Sequence, residues 1–458
     1  MTRLRLLLTL LALGAAAGCD RSDPPTGPLR VSMPRPMATV NVLTVDNTND
    51  NGAGSLRQAI IDAQPGDVIH FADAIAGQTV TLTSGELFVG KALTIEGSAT
   101  AGMTISGGGS SRVATISPVA ELTIRNLTIA GGLEATGGAG GGLRNLGTLT
   151  IENSAIINNV VAFEAAAAQG GGIWSSADSR LKLVNSTVSG NTSSSSGGGI
   201  ASYGVLTLIH TTIANNKSTG SSGGGLAVDE GSLVFWNSII AGNDSYATSN
   251  DACRIDASAD LTVLGKGIVD AAGCITDPAV TVGDPLLGAL ANNGGPTKTH
   301  AILANSPAID ALATCAPAVT EDQRHVARPQ GAGCDVGAYE FTEYLKTPIT
   351  IAEGVAVNPS NGVAIVTGTL SCTAPITIPL HVELSQPQKS GRATVTAKAA
   401  GDITVSCTNV KAWSISLVPP TGTFINGPGS TSAKTTPPGS SVAPASATAA
   451  VKLYWARK

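Results

Sequence analysis

Charged residues are scarce in this chain of 458 residues, and aromatic residues are scarcer still. Asp, Glu, Lys and Arg make up 13% of it, and Phe, Trp and Tyr only 3%. So few aromatics argue against a large globular core. A net charge of -5 gives no basic surface, so we expect no nucleic-acid partner. Beyond the N-terminus no apolar run is long enough to span a bilayer. Glycine is abundant instead, with 55 residues, which is typical of turn-rich β structure.

Five similar segments repeat between Glu121 and Asn243, with a period of about 25 to 32 residues. They are Leu122–Asn126, Leu149–Asn153, Leu181–Asn185, Leu206–His210 and Leu233–Asn237. The last four copies also close on a second Asn, at Asn159, Asn191, Asn216 and Asn243, and each of them opens with three glycines. Apolar residues alternate within each copy, which predicts a short strand with one buried face.

A strand this short cannot bury its apolar face alone, whereas stacked copies share a continuous core. The repeat therefore predicts an all-β chain whose main body, residues 39–283, is a parallel β-helix with three short strands per turn. An antiparallel sandwich is the alternative. It has turns roughly every 8 to 12 residues and does not explain the long period.

The residue that ends each repeat is expected to form a tight corner, because Asn tolerates a positive φ and bonds neighbouring backbone. We predict corners at Asn126, Asn153, Asn185, His210 and Asn237. The residues just before these corners change from charged to apolar along the chain: Arg125, Glu152, Val184, Ile209 and Trp236. An exposed apolar stripe is usually covered. Either a later part of the same chain packs on it, or Trp236 stacks on a ligand.

Six of the seven cysteines fall into three local pairs: Cys253 with Cys274, Cys315 with Cys334, and Cys372 with Cys407. Proximity favours these pairings among about 15 connectivities, and an export signal favours disulfides over buried free thiols. The remaining cysteine is Cys19.

Residues 1–18 have the form of a secretory signal, with Arg3 and Arg5 before an apolar run. The sequence Ala16-Ala17-Gly18-Cys19 is similar to a bacterial lipobox, which implies lipidation of Cys19; ordinary signal cleavage is the alternative. Residues 19–38 contain five prolines and are typical of an extended tether. We therefore expect an exported protein tethered to a membrane by its N-terminal lipid, at the outer membrane or cell surface of a bacterium.

Ser55 and Gln58 have the form of a capping box, and a short amphipathic helix after Ser55 is expected to close the first end of the β-helix. The motif Gly54-Ser-Leu-Arg-Gln-Ala-Ile60 resembles the N-terminal motif of surface-exported β-helix proteins. That resemblance implies a right-handed, single-stranded β-helix with repeats like those of polymorphic outer-membrane proteins. Turn chemistry explains the acidic loop before the motif, with Ca²⁺ as the alternative.

Residues 284–341 contain a second ordered set of motifs, including Asp284–Gly288, Asn293–Thr297, Ser306–Asp310 and Cys334–Glu340. Together they resemble the choice-of-anchor Q domain, which implies a cap at the C-terminal end of the β-helix. His300, Asp310, Asp322, Arg324, Asp335 and Glu340 lie within it. They are expected to form a satisfied network of ion pairs, with an acid/base or metal site as the alternative.

Residues 342–458 change to Thr-, Ser- and Val-rich alternation, which predicts a separate antiparallel β-sandwich of immunoglobulin-like type. Residues 427–446, rich in Ser, Pro and Thr, are expected to form a long loop before a last strand from Ala447 to Trp455.

The charged residues of the repeats form no evident column, and no nucleophile motif, phosphate loop or zinc spacing is present. We therefore assign no catalytic, cofactor-binding or metal-binding residue. The function expected from the sequence is that of a non-catalytic, adhesin-like or structural surface protein that binds glycan or another surface component. A polysaccharide lyase or glycoside hydrolase is the alternative.

Overall fold

The main body of the protein is a parallel β-helix, as the repeats predict. The computed structural model describes residues 40–162, 168–246, 252–303, 305–342, 345–372, 376–407, 410–435 and 445–456. The signal, the tether and Cys19 therefore lie outside the described residues. Among the described residues no helix has the length and apolar character needed to cross a membrane.

Two long parallel sheets carry the repeats. Sheet A stacks nine strands: Val42–Val45, Val68–Phe71, Leu93–Glu96, Glu121–Arg125, Thr148–Glu152, Arg180–Val184, Val205–Ile209, Ser232–Trp236 and Asp260–Leu264. Sheet B also stacks nine: Thr79–Thr81, Met103–Ser106, Leu127–Ala130, Ala155–Ile157, Thr187–Ser189, Thr212–Ala214, Ile239–Ala241, Gly267–Val269 and Val280–Val282.

Two further parallel sheets, of seven and five strands, complete most of the turns. Sheet C comprises Leu87–Val89, Ala114–Ile116, Leu143–Asn145, Ile173–Ser175, Ile200–Ser202, Leu226–Val228 and Cys253–Ile255. Sheet D comprises the two-residue strands Leu133–Glu134, Val160–Val161, Thr192–Ser193, Lys217–Ser218 and Asp244–Ser245. Each of the five coils between Glu121 and Ile255 thus runs through sheets A, B, D and C in turn. The predicted three strands per turn miss sheet D, because two residues are too few to show an alternation.

The repeats align residue for residue in sheet A. Leu149 pairs with Leu122 and Leu181, and Leu206 pairs with Leu181 and Leu233. These five leucines are at most 2% exposed and belong to one core cluster. Stacked copies therefore bury the apolar face that a single copy would leave in water.

A short helix, Leu56–Asp62, buries Leu56, Ala59 and Ile60 against the core at the first coils. Its N-cap is Ser55, whose side chain accepts a hydrogen bond from the backbone N–H of Gln58, as the capping box predicts. A 3₁₀ turn follows at Asp73–Ile75.

A line of buried asparagines runs along the corner between sheets B and D. Each side-chain Nδ2 donates to the Oδ1 of the next coil, at 2.9 Å for each of the pairs Asn159–Asn191, Asn191–Asn216 and Asn216–Asn243. The third glycine of each triplet lies against this line: a Cβ at Gly172 would stand 3.1 Å from the Cγ of Asn191. The triplets therefore leave room for what we call the asparagine ladder (Asn159, Asn191, Asn216 and Asn243).

The corner between sheets A and B holds the five predicted corner residues, whose φ angles lie between 45° and 55°. The segment 284–341, which we call the flank segment, lies along this corner instead of closing the last coil. It bonds every corner residue, through the pairs His325–Asn126, Thr297–Asn153, Glu321–Asn185, Ala316–His210 and Gly337–Asn237. The flank segment therefore spans five coils from the side. It contains one hairpin, Leu287–Ala291 with Thr299–Ile302.

Eight strands at the C-terminus form one sheet: Leu345–Ile351, Gly354–Val357, Ala364–Cys372, Ile376–Ser390, Ala393–Cys407, Val410–Leu417, Gly427–Thr435 and Ser446–Trp455. All pairings are antiparallel except that of Gly354–Val357 with Ser446–Trp455. The sheet's buried side chains form a single cluster.

The prediction of a loop at residues 427–446 is wrong for the first half of that range. Gly427–Thr435 is a strand, in which Thr431, Ala433 and Thr435 are buried while their neighbours face outward. Small polar residues hid this alternation, because Thr and Ala carry little hydrophobic signal. Residues 436–444 lie outside the described part of the chain.

Candidate functional site

The outward face of sheet C carries a line of contacting side chains. In each three-residue strand the first residue enters the core and the middle one points outward, which aligns Arg144, Trp174, Ala201, Ala227 and Arg254. Two positions further along the chain, and so on the same face, come Tyr203 and Asp229. We call Arg144, Trp174, Tyr203, Asp229 and Arg254 the outer stripe.

The members of the outer stripe contact one another from coil to coil. The guanidinium carbon of Arg144 lies 5.7 Å from the ring centroid of Trp174. The rings of Trp174 and Tyr203 are 6.2 Å apart and tilted by 51°, which is a favourable aromatic geometry. Arg254 forms an ion pair with Asp229. All five residues are partly exposed.

Polar atoms of the stripe are only partly satisfied. The hydroxyl of Tyr203 donates to the Oε1 of Gln169 at 2.6 Å, and burial together with the nearby Asp229 raises the pKa of Tyr203. In contrast, Arg144 Nε, Asp229 Oδ2 and Arg254 Nε are buried without a hydrogen-bond partner. Buried polar atoms normally have partners, but these three atoms are closed to solvent, so a ligand would have to meet the exposed atoms of the same groups.

The small residues between these side chains have a steric role. Ala201 and Ala227 are buried, and Cβ atoms at Gly197 and Gly223 would stand 2.8 and 3.2 Å from their Cβ atoms. The glycine turns therefore cover Ala201 and Ala227, while Trp174 and Tyr203 beside them remain partly exposed to solvent.

A second charged group lies beside the first coils of sheet C. Arg112 is bonded to Glu86 at 2.6 Å and to Glu134. Burial alone would raise the pKa of Glu134, but hydrogen bonds from Thr136 and the Arg112 charge lower it. A glycosidase general acid needs a raised pKa. Glu134 is therefore poorly suited to that role.

The acidic and basic residues of the flank segment form a buried cluster. Arg324 pairs with Asp322 at 2.7 Å, and Arg328 pairs with Glu340 at 2.6 Å. Arg324 also lies 3.5 Å from the ring centroid of Tyr339. The four side chains of these two pairs are at most 1% exposed. A substrate cannot reach them, and each is hydrogen-bonded, so they hold the segment together.

Asp335 and Asp310 extend this cluster. Asp335 accepts hydrogen bonds from the backbone N–H of Asp310, at 2.7 Å, and from that of Phe341. Burial and the neighbouring Glu340 raise the pKa of Asp335 to about 7. Asp310 accepts from the backbone N–H of Gly333 at 2.9 Å.

His300 lies apart from this cluster, between the flank segment and sheet B. Its Nδ1 donates to the carbonyl of Gly288 at 2.8 Å, so its Nε2 accepts from the hydroxyl of Ser189 at 2.8 Å. Burial lowers the pKa of His300. Ser189 is itself 2% exposed, so this serine–histidine pair is closed to substrate.

The other residues singled out in the sequence have structural partners. Trp236 packs with Val184 and Ile209 against Ala316 and Val319, so the flank segment covers the apolar stripe. In the acidic loop, Asp50 bonds Arg57, Thr83 and Ser84. No group of three or more His, Cys, Asp or Glu residues suited to a metal ion occurs in the described part of the chain.

Two of the three predicted disulfides are present, Cys253–Cys274 and Cys315–Cys334. Cys407 is also disulfide-bonded, whereas the side chain of Cys372 lies outside the described part.

The sequence did not single out the outer stripe. The sequence nevertheless contained a signal for it. The first residue after each glycine triplet is a buried Leu or Ile, so the second residue faces outward; these second residues are Arg144, Trp174, Ala201 and Ala227. An outward column with an arginine and a tryptophan on adjacent coils follows from the alignment of the triplets.

No family model matches the chain, and no curated protein matches it. Among solved structures, the sporulation control protein Spo0M from Bacillus subtilis matches with 10% sequence identity and a TM-score of 0.15. The match covers 23% of this chain and 49% of Spo0M, so it spans about half the length of that protein. At this TM-score the likeness carries no argument about fold or function.

Proposed function

We propose that the protein is a non-catalytic, adhesin-like surface rod that binds glycan chains through the outer stripe. The observation that carries the proposal is the pair of partly exposed rings, Trp174 and Tyr203, set 6.2 Å apart between charged side chains.

This combination suits a sugar chain. An aromatic ring offers an apolar face to the C–H face of a sugar ring, and tyrosine and tryptophan do so with little loss of conformational freedom. Beside the aromatic ring, guanidinium and amide N–H groups donate hydrogen bonds to the hydroxyl groups of a sugar, and carboxylate and amide oxygens accept hydrogen bonds from them. Arg254, Asp229 and Gln169 supply these groups beside the rings.

The stripe is also long enough for a chain instead of a single sugar. From Arg144 to Arg254 it crosses four steps between coils. At about 4.8 Å per step this is roughly 19 Å. Weak contacts repeated over that length suit an adhesin-like role.

The enzyme alternative is less well supported by the carboxylates near the stripe. Glycoside hydrolysis needs one carboxyl group with a raised pKa beside a second free one. Asp229 is paired with Arg254, while Glu86 and Glu134 are both bound to Arg112.

The remaining parts fit a surface protein. The proposal includes export by the signal at residues 1–18 and a lipid on Cys19 that holds the chain at the outer membrane or cell surface of a bacterium. It also includes a right-handed, single-stranded β-helix, a flank segment of choice-of-anchor Q type and an immunoglobulin-like C-terminal domain. The motif at Gly54–Ile60 supports the handedness of the β-helix, the motifs of the flank segment support its type, and the alternating strands of residues 342–458 support the last assignment.

A glycan array probed with the full chain and its Trp174→Ala variant tests the binding role. We expect the substitution to weaken binding about tenfold or more, as for other aromatic anchors, and Trp174→Phe to retain part of it. Trp455→Ala is the matched control, because Trp455 is 42% exposed and lies in the C-terminal sheet.

Turnover of each bound glycan is measured in parallel. Absence of any glycan binding, or equal losses from Trp174→Ala and Trp455→Ala, would refute the proposal. Release of reducing or unsaturated sugar ends would favour the enzyme instead.

A further inference from the structure

At one end of the outer stripe, Arg144 has no ion-pair partner among the described residues. Arg254 is paired with Asp229, and Arg112 with Glu86 and Glu134. The guanidinium carbon of Arg144 lies over the ring of Trp174, and its Nε has no hydrogen-bond partner. A guanidinium group beside an aromatic ring, without a carboxylate partner in the described part of the chain, is suited to bind an anion in a planar, two-bond geometry.

The other end of the stripe is acidic. Asp229 is followed on the next coil by Asp256, which is exposed. Hydrogen bonds from Ser258 lower the pKa of Asp256, so it is ionised at neutral pH. These two carboxylates face the single charge of Arg254. Asp229 lies on the third coil after that of Arg144, which is about 14 Å away along the stack of coils.

We propose that the stripe selects a largely neutral glycan that bears an acidic sugar at one point, with the sugar's carboxylate on Arg144. This inference rests on the proposed glycan-binding function. A glycan with a carboxylate on every sugar would place like charges beside Asp229 and Asp256, which disfavours it. A wholly neutral chain would leave Arg144 unpaired. The polarity of the stripe thus sets both the charge of the ligand and its direction along the rod.

The test uses the full chain and matched oligosaccharide pairs. Xylo-, gluco- and galacto-oligosaccharides are each presented with and without one glucuronate branch, beside a hexamer of galacturonate. We expect the branched member of a bound pair to bind about tenfold more tightly than the unbranched one at low salt. This ratio should shrink as salt is added, because the pair is partly exposed. The galacturonate hexamer should bind less tightly than the branched chain.

The substitution Arg144→Gln should reduce the ratio to about one, because it removes the charge and keeps a planar side chain. Arg180→Gln is the matched control. Arg180 is exposed on sheet A of the next coil and should leave the ratio unchanged.

The outcomes separate this inference from the function on which it rests. Equal binding of branched and unbranched chains, tightest binding of the galacturonate hexamer, or a ratio that survives Arg144→Gln would overturn the inference while glycan binding stands. Absence of binding to every glycan would overturn both.

Discussion

We predict that the asparagine ladder contributes strongly to the stability of the β-helix. The substitution Asn191→Leu, in the middle of the ladder, tests this prediction. The side chain of Asn191 accepts hydrogen bonds from the backbone N–H and the Nδ2 of Asn159, at 3.0 and 2.9 Å. It donates to the carbonyl of Ile156 at 2.8 Å and to Asn216. Leucine has nearly the same shape, so the substitution removes the hydrogen bonds and leaves little empty space.

The cost follows from which groups lose their partners. Asn216 Oδ1 still accepts from the backbone N–H of residue 191, and Asn159 Nδ2 still donates to Ile129. The backbone N–H of Asn159 loses its partner, whereas the carbonyl of Ile156 loses the donor that Asn191 supplied but keeps the sheet bond that its pairing with the strand Thr187–Ser189 provides. At about 2 kcal/mol for the unsatisfied N–H and about 1 kcal/mol for the lost bond to the carbonyl, the loss is about 3 kcal/mol.

Native-state hydrogen exchange on the full chain measures this loss in the β-helix separately from the C-terminal sheet. We expect amides of Ala155–Ile157 and Thr187–Ser189 to exchange about a hundredfold faster, which corresponds to about 3 kcal/mol at about 1.4 kcal/mol per tenfold. Asn49→Leu is the control, because Asn49 is exposed on the loop before the helix and should change stability by at most about 0.5 kcal/mol. A change below about 1 kcal/mol for Asn191→Leu would refute the ladder's stabilising role.

Two further predictions concern the flank segment and the N-terminus. Because burial and Glu340 raise the pKa of Asp335 from 3.8 to about 7, the folded state holds a proton that the unfolded state releases. This contribution to stability is therefore lost as pH rises from about 4 to about 7. Asp335→Asn should remove it in thermal unfolding, and parallel curves for both proteins over that range would contradict the assignment. For the N-terminus, Cys19→Ser should abolish incorporation of labelled palmitate and release the protein from the membrane fraction, whereas persistent labelling would show that Cys19 is not the lipidated residue.

The sequence predicts the parallel β-helix because one pattern is repeated in register. Leu149, Leu181 and Leu206 stand at the same place in each copy, and the structure stacks them in adjacent strands. Identical spacing is a strong signal, since stacked coils need the same residue type at the same height. Sheet D left no such signal, because its strands have only two residues.

The position of the flank segment could not be predicted, because it depends on contacts between residues more than 100 positions apart, such as Asn185 with Glu321. Its motifs suggested a cap at the end of the helix, whereas it lies along the corner residues. For the same reason the sequence left open whether Trp236 was covered, and it did not distinguish this tryptophan from the partly exposed Trp174.

The flank segment has a consequence for how the β-helix can evolve. It meets the five corner residues, Asn126 to Asn237, each on a different coil, at a spacing set by its own fold. If a coil between Asn153 and His210 were duplicated, the later corner residues would move by one strand spacing away from their partners in the flank segment. Repeat proteins commonly gain or lose units by recombination. Here the spacing of the contacts made by the flank segment fixes the number of coils in this stretch.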